Sequence, residues 1–259
     1  MQKLTSRDGK LTAVQTGTGP DLLILHSLLT DRTAFDPVLP KLTEKFRVTL
    51  VNLPGFHGSA PIPAGIEGYA DRVATVFDDF GLGQDCAVMG NGFGGTVAVA
   101  MALRHGARFG KMVLSDVAAG FPEQGKVAFR VMAEKVGSEG LGGIVDIAAR
   151  RVFHDAYLAK HPEAFEERRQ VLLGIDPQAF IAACQSLIAC DLVPQLDSIR
   201  NATLVVVGEL DAATPPVLCR QLAAGIPGAW LTEIAQCGHC PPLEMPDVFI
   251  ETVRGFLAF

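Results

Sequence analysis

A glycine-rich turn is the segment of this chain that most clearly indicates chemistry. Gly90-Asn91-Gly92-Phe93-Gly94 directly follows an apolar run and precedes a helical pattern. A sharp strand-to-helix turn of the form Gly-x-Ser-x-Gly lifts its middle residue above a sheet, where that residue acts as a nucleophile. The middle residue here is Gly92, which has no hydroxyl group. The turn therefore has the pattern of a nucleophile elbow without the nucleophile.

An acid and a base follow this turn in the order that a nucleophile–acid–base triad requires. Asp211 comes just after the apolar run Thr203–Val207, and His239 lies 28 residues further on, after the next run. In such a triad the histidine deprotonates the nucleophile, while the aspartate fixes the imidazole tautomer and stabilises its cation. Asp116 also ends an apolar run and is an alternative acid, but Asp211 fits the pattern better. Three positions in this order predict a catalytic site.

Backbone amides that stabilise a developing oxyanion are expected beside the turn. The apolar run Leu22–Leu25 leads into His26-Ser27-Leu28, and Phe93 follows Gly92. We predict the amides of Leu28 and Phe93 as the oxyanion-hole donors. A glycine-rich turn can instead bind a phosphate, but the Gly-x-Gly-x-x-Gly spacing fails and no acidic ribose partner follows at the right distance.

The elements that must position these residues are predicted to form a parallel sheet wrapped by helices. A more polar segment, Leu11–Gln15, predicts an edge hairpin, and Thr96–Leu103 is apolar on all sides, as in a central buried helix. Continuous apolar runs are typical of strands buried on both faces. The runs are Leu22–Leu25, Val48–Val51, Cys86–Met89, Met112–Leu114, Thr203–Val207 and Trp230–Ile234.

The alternation of strands and helices stops between residues 122 and 192, where the sequence offers several helices and no strand. A helical insertion between two strands of a parallel sheet predicts a lid. We therefore predict residues 1–121 and 193–259 as the core and residues 122–192 as a helical lid. Candidates for the wall of an apolar pocket beneath it are Phe121, Phe153, Phe180 and Leu187.

Composition argues against several other functions. Of the 259 residues, 49% are hydrophobic and 19% charged, which is enough apolar material for a large core. A net charge of −6 without a dense Lys/Arg cluster predicts neither a nucleic-acid nor a membrane partner. No run approaches the roughly 18 apolar residues of a membrane span. A small-molecule substrate or ligand is the expected partner, and a homo-oligomer is left open.

The six cysteines and the N-terminus bear on compartment and cofactors. Only Cys237 and Cys240 have a Cys-x-x-Cys separation, and no second pair accompanies them. This pattern predicts reduced thiols, with neither a disulfide framework nor a metal site. The polar segment from Met1 to Lys10 lacks the hydrophobic stretch of a secretory signal. We expect a cytoplasmic protein without a cofactor.

Several motifs spread along the chain carry a resemblance to a known family. They are His26-Ser27-Leu28 with Thr30-Asp31, Pro54-Gly55 with Gly58-Ser59, Phe180 to Leu192, Gly208-Glu209 with Asp211, Thr214-Pro215-Pro216, and Gly238-His239. With these motifs the chain as a whole resembles the α/β-hydrolase superfamily, especially the branch of 3-oxoadipate enol-lactonases and related small-molecule hydrolases. The resemblance implies an α/β-hydrolase fold, hydrolysis of a small ester or lactone, and a site at position 92, Asp211 and His239.

Two departures from the branch concern its substrate and its chemistry. The enol-lactonase pattern has an arginine shortly after Thr-Asp and then a tryptophan, whereas here Arg32 falls one place early and Phe35 takes the tryptophan position. The larger departure is Gly92. Ser27 does not replace the missing hydroxyl in this interpretation, because family members with an elbow serine also carry serine there.

Glycine at position 92 leaves three hypotheses. The first is a hydrolase of a small ester or lactone that is inactive or strongly impaired, since losing a triad nucleophile costs about 10⁶ in turnover. The second is an enzyme in which His239 and Asp211 activate water without a covalent intermediate. The third is a ligand-binding pseudoenzyme. The first is favoured as the functional class.

Overall fold

A single eight-stranded sheet organises the protein, and the computed structural model describes all of residues 1–259. The strands are β1 Gln2–Thr5, β2 Thr12–Thr16, β3 Asp21–Leu25, β4 Arg47–Asn52, β5 Ala87–Asn91, β6 Lys111–Ser115, β7 Ala202–Gly208 and β8 Trp230–Ile234. Their spatial order is β1-β2-β4-β3-β5-β6-β7-β8. The β1–β2 and β2–β4 pairs are antiparallel and the other pairs are parallel. The predicted edge hairpin and mostly parallel sheet are confirmed.

Burial along the strands follows their place in the sheet. Every residue of β3 and β5 is buried, because helices cover both faces of the sheet centre. The prediction that the run Trp230–Ile234 is also buried on both faces is wrong. It forms β8 at the sheet edge, where Trp230 is 62% exposed and only Ile234 is buried. An edge strand has one neighbour and less cover, which the letters of an apolar run do not reveal.

Twelve α-helices surround the sheet. Their bounds are α1 Leu39–Thr43, α2 Ile66–Ala74, α3 Val76–Asp79, α4 Phe93–His105, α5 Glu123–Glu139, α6 Val145–Val152, α7 Asp155–Lys160, α8 Pro162–Leu173, α9 Pro177–Ala189, α10 Pro216–Gly225, α11 Pro241–Glu244 and α12 Pro246–Leu257. Short 3-10 helices occupy Arg32–Phe35, Gly106–Arg108, Leu141–Ile144 and Val193–Ser198. All residues from Phe93 to Ala102 in α4 are buried, which confirms the predicted central helix.

Helices α5 to α9 form one insertion between β6 and β7. The two ends of the insertion meet, because Gly120 and Asp191 pair as an isolated antiparallel bridge and the amide of Leu192 donates to the carbonyl of Ala119 across 2.7 Å. Inside the insertion, α5 packs along α9. The buried apolar side chains of the insertion and of the sheet region join in one hydrophobic cluster.

No single helix is long and apolar enough to cross a bilayer. Helices α8 and α9 reach that length and composition only as a pair, and they are bent by 100° where they meet.

Candidate active site

The glycine-rich turn joins β5 to α4 and holds position 92 in an unusual backbone conformation. Gly92 has φ 51° and ψ −118°, a positive φ that side-chain-bearing residues rarely adopt. Its neighbours are packed too closely for side chains as well. A Cβ on Gly90 would lie 2.6 Å from the backbone of Gly95, and one on Gly94 would lie 2.5 Å from the carbonyl oxygen of His26. The turn has the strained geometry expected of a nucleophile elbow.

His239 and Asp211 are hydrogen-bonded, as a catalytic acid–base pair requires. The Nδ1 of His239 lies 2.9 Å from Oδ2 of Asp211, and both side chains are buried. The other oxygen, Oδ1, accepts the amides of Ala213 and Thr214 at 2.7 and 2.9 Å. Asp211 is therefore fixed as an acceptor, so that Nδ1 of the imidazole carries the proton and Nε2 has a free lone pair.

Two polar side chains position the loop that carries His239. The amide group of Asn91 donates to the carbonyl of His239 at 3.0 Å and to that of Ser115 at 3.1 Å, so Asn91 ties the elbow to this loop. The carboxylate of Glu244 accepts the amide of Gly238 at 3.0 Å. Burial raises the pKa of Glu244 to about 7. The sequence gave no sign of the role of Glu244.

The Nε2 atom of His239 faces the elbow. A Cβ built on Gly92 would lie 2.8 Å from Nε2, so a side chain at this position would meet the imidazole. The same Cβ would overlap the side-chain oxygen of Ser27, which lies 3.3 Å from Nε2. The structure thus places Ser27, whose role was interpreted as merely structural, beside the candidate base.

The loop of Ser27 is held by its own neighbours. The amide of Ser27 donates to the hydroxyl of Thr30 at 3.1 Å, and Nδ1–H of His26 donates to the carbonyl of Ser27 at 2.9 Å. The Nε2 of His26 accepts the amide of Leu53 at 3.1 Å. Burial lowers the pKa of His26 to about 4, so its ring stays neutral and shapes the loop.

The two amides predicted as oxyanion donors have no acceptor inside the protein. The N–H of Phe93 opens α4, where the first amides of a helix have no intrahelical partner. The N–H of Leu28 likewise donates to no protein oxygen. Both residues line the same pocket as Gly92 and His239. A pair of unpaired amides beside a base is the arrangement that a tetrahedral oxyanion requires.

The pocket over the elbow lies between the sheet region and the insertion. The insertion contributes Phe129, Met132, Arg151 and Leu187 to its lining. Phe121 and Leu187 line the pocket as predicted. Phe180 does not, because it is fully buried in the core, and Phe153 instead lines a neighbouring cavity beside His239. The rotation of each helix about its axis decides which aromatic side chains face the pocket.

Comparison with known proteins decides the family. Residues 22–252 match the alpha/beta hydrolase family. The chain belongs to the alpha/beta hydrolase family. It is 28% identical over 256 residues to a pimeloyl-(acyl-carrier protein) methyl ester esterase of Nitrosospira multiformis, covering 93% of this chain and 95% of that one. It is 25% identical over 259 residues to 3-oxoadipate enol-lactonase 2 of Acinetobacter baylyi, covering 98% and 95%.

Solved structures agree with this placement. A thermophilic esterase from Thermogutta terrifontis superimposes with a TM-score of 0.90 at 30% identity, covering 100% of this chain and 98% of that chain. The α/β-hydrolase fold predicted from the sequence is confirmed. Relatives of this family member include both an esterase and an enol-lactonase, so assignment to the enol-lactonase branch stays a prediction.

A second buried carboxyl group lies beneath the acid–base pair of this hydrolase-family chain. Asp116 accepts the amide of Gly208 at 2.9 Å and the hydroxyl of Ser115 at 2.7 Å. Burial, and then the neighbouring Asp211, raise the pKa of Asp116 well above its usual range. The raised pKa favours the protonated, uncharged form of Asp116 beside the charged Asp211. Asp211, rather than Asp116, contacts the imidazole, in agreement with the sequence prediction.

Three buried side chains at this place carry atoms that can bind a metal ion. Ligand atoms of Asp116, Asp211 and His239 lie within 4.8 Å of one another. Nδ1 of His239 is already hydrogen-bonded to Asp211, and both oxygens of Asp116 already accept hydrogen bonds from Gly208 and Ser115. The arrangement fits a hydrogen-bonded network better than a metal site.

Arg151 is a pocket residue that the sequence did not reveal. It extends from α6 into the pocket lining, where its guanidinium donates to the carbonyl of Ala213 at 3.4 Å and pairs with no carboxylate. An unpaired cation at a pocket wall is suited to bind an anionic group. No local sequence signal separates Arg151 from the adjacent Arg150.

The cysteines that flank His239 are not nucleophiles. Cys237 and Cys240 are buried as free thiols. Burial raises the pKa of both thiols, so they remain protonated and act as small apolar side chains.

Proposed function

We propose that this chain is a carboxylic ester hydrolase of the small ester or lactone class, strongly impaired by the missing elbow hydroxyl. The observation that carries the proposal is His239, with Nδ1 bonded to Asp211 at 2.9 Å and Nε2 aimed at position 92. A structural histidine has no need for an unprotonated nitrogen directed at a pocket lined by unpaired amides.

The roles of the site residues follow from this geometry. His239 accepts a proton from the attacking oxygen and later returns it to the leaving group. Asp211 fixes the tautomer and stabilises the imidazolium that forms. The amides of Leu28 and Phe93 hold the developing oxyanion. Arg151 provides the one positive side chain of the pocket wall.

The expected impairment has a definite size. Gly92 cannot form an acyl-enzyme, and loss of a triad nucleophile costs about 10⁶ in turnover. Oxyanion donors and substrate binding alone can retain about 10³–10⁴ of acceleration over water. A slow but measurable turnover is therefore the expected activity of the chain.

The substrate is expected to be small and largely apolar around its acyl group. Nine of the fifteen residues that line the pocket are hydrophobic, which suits the apolar part of a short acyl chain or a lactone ring. The insertion between residues 122 and 192 would act as a lid that excludes water from this pocket. The names of two similar proteins, a methyl ester esterase and an enol-lactonase, support the ester or lactone class.

Two other functions are consistent with Gly92. In one, His239 and Asp211 activate a water molecule directly, because Nε2 has a free lone pair above a position without a side chain. In the other, the chain binds a ligand without turnover. The variant Gly92→Ser distinguishes both from the proposal. It would hinder turnover by activated water, and it would leave a ligand-binding protein without turnover.

A panel of short p-nitrophenyl esters and simple lactones tests the class. We expect the parent chain to hydrolyse at least one of them slowly, and His239→Ala to abolish that turnover. Thr252→Ala is a suitable control, because its exposed hydroxyl bonds only its own helix. No turnover by the parent or by Gly92→Ser would contradict the proposal.

A further inference from the structure

The hydroxyl of Ser27 occupies the space left by the missing side chain at the elbow. Ser27 is only 2% exposed. A Cβ on Gly92 would overlap its Oγ and lie 3.1 Å from its Cβ. The oxygen of Ser27 is thus where the elbow nucleophile would begin, although it comes from a different loop.

Hydrogen-bond polarity makes this hydroxyl a donor to the base. Nδ1 of His239 carries its proton toward Asp211, so Nε2 can only accept. Ser27 Oγ lies 3.3 Å from Nε2 and therefore donates its proton to it. The chain Ser27–His239–Asp211 has the same order and polarity as a serine triad.

One predicted oxyanion donor belongs to the residue that directly follows Ser27, as in an ordinary elbow. In an ordinary elbow, one donor is the amide of the residue after the nucleophile. Leu28 follows Ser27, its amide is unpaired, and both residues line the pocket. The Phe93 amide opens into the same pocket.

Other nucleophiles in the pocket are excluded by their contacts. Thr96 and Thr214 carry the other hydroxyl groups of the pocket lining. Neither is hydrogen-bonded to Nε2 of His239, and the hydroxyl of Thr96 donates to the carbonyl of Ala118 at 3.0 Å. The free thiols near His239 are buried and protonated. Ser27 is the one hydroxyl that contacts Nε2 of His239.

We propose that Ser27 is the nucleophile through which this chain hydrolyses esters, an inference that rests on the proposed function. Ser27 Oγ forms a bond to the ester carbonyl carbon while its proton passes to Nε2 of His239. The carbonyl electron pair moves to oxygen, where the amides of Leu28 and Phe93 hold it. As the pair returns, the bond to the alcohol oxygen breaks, and that oxygen takes the proton from His239.

Water completes the cycle. His239 accepts a proton from water as the water oxygen attacks the acyl-Ser27 carbonyl. Collapse releases the carboxylic acid, and the proton on Nε2 returns to Ser27 Oγ. No oxidant, metal or second substrate is required.

Covalent labelling tests the role of Ser27. The intact parent is incubated with a fluorophosphonate, which phosphonylates activated serines, and the adduct is located by peptide mass spectrometry. We expect one adduct on Ser27, none in Ser27→Ala, and an undiminished adduct in Ser198→Ala, a control at an exposed serine. A parent that gains no adduct, or one elsewhere, would overturn the inference.

Turnover of p-nitrophenyl acetate gives the second readout. Ser27→Ala should lose at least tenfold in kcat, whereas Ser27→Cys should retain turnover and accumulate a thioester that intact mass detects. The backbone bonds of this loop do not use the Ser27 hydroxyl, and equal Tm values would show that both variants are folded. Unchanged kcat in Ser27→Ala would assign the attack to water and overturn the inference.

A double variant separates this inference from the proposed function. In Gly92→Ser the elbow supplies the nucleophile, so adding Ser27→Ala should leave that turnover nearly intact. If Gly92→Ser is active while the parent is neither labelled nor affected by Ser27→Ala, the inference fails and the hydrolase class stands. If parent and Gly92→Ser are both silent, both fail.

Discussion

His239 donates its Nδ1 proton to Asp211 across 2.9 Å, with both side chains buried at the carboxyl ends of neighbouring strands. This bond leaves Nε2 as an acceptor directed at Gly92, where the fold normally supplies a hydroxyl. The residues proposed as acid, base and oxyanion donors thus lie together around an elbow that has no side chain.

Removing the charge of Asp211 should change the tautomer and stop proton transfer. Asp211→Asn keeps the shape but offers an amide to Nδ1, so the imidazole turns its proton toward Nε2. In the Gly92→Ser background we expect kcat to fall by about 10⁴. Steady-state hydrolysis of p-nitrophenyl acetate measures this, and an unchanged kcat would show that Asp211 does not orient the base.

Asp116 should make stability depend on pH. Its folded pKa is raised, so between the ordinary value near 3.8 and the folded value the native state holds a proton that the unfolded chain has lost. The contribution of Asp116 to stability is therefore complete below the unfolded pKa near 3.8 and is lost as pH rises through the folded pKa. Asp116→Asn mimics the protonated acid, so its unfolding free energy relative to the parent should increase from pH 4 to 7. Urea titrations at several pH values check this, and a constant difference would contradict it.

Gly92 should make the elbow more stable than any residue with a side chain. With φ 51° and ψ −118°, Gly92→Ala should lower the unfolding free energy by about 1–3 kcal/mol. Gly255→Ala is the control, because this exposed glycine lies within α12 with nothing near its Cβ. There alanine should stabilise by about 0.5–1 kcal/mol. Equal effects at both positions would mean that the elbow is not strained.

Arg151 should favour substrates with a negative group remote from the ester bond. Its guanidinium lines the pocket without an ionic partner. Arg151→Gln should raise KM for a monoester of a dicarboxylic acid by about tenfold, since a hydrogen bond to a charged group contributes about 1.5–3 kcal/mol. KM for a neutral ester of equal length should hardly change. A parallel change for both esters would assign Arg151 a structural role.

The constellation of elbow, Asp211 and His239 could be predicted because parallel strands bring their carboxyl ends to one edge, and chain order then names the partners. The exposure of Trp230 could not be predicted, since an apolar run does not reveal a sheet edge. The contact between Ser27 and His239 could not be predicted either, because it depends on the absence of a side chain at Gly92, which is distant in sequence from both. Phe180 and Phe153 show that helix rotation, which periodicity defines loosely, decides which side chains reach a pocket.

The most direct measurement is the kcat/KM of Gly92→Ser beside that of Gly92→Ala on one activated ester. Both variants add a Cβ to the strained turn and displace the Ser27 side chain, but only serine adds an oxygen within reach of His239. We predict that Gly92→Ser exceeds both the parent and Gly92→Ala by orders of magnitude, and that His239→Ala removes the gain. A well-folded Gly92→Ser with no more turnover than Gly92→Ala would contradict the assignment of this site to ester hydrolysis.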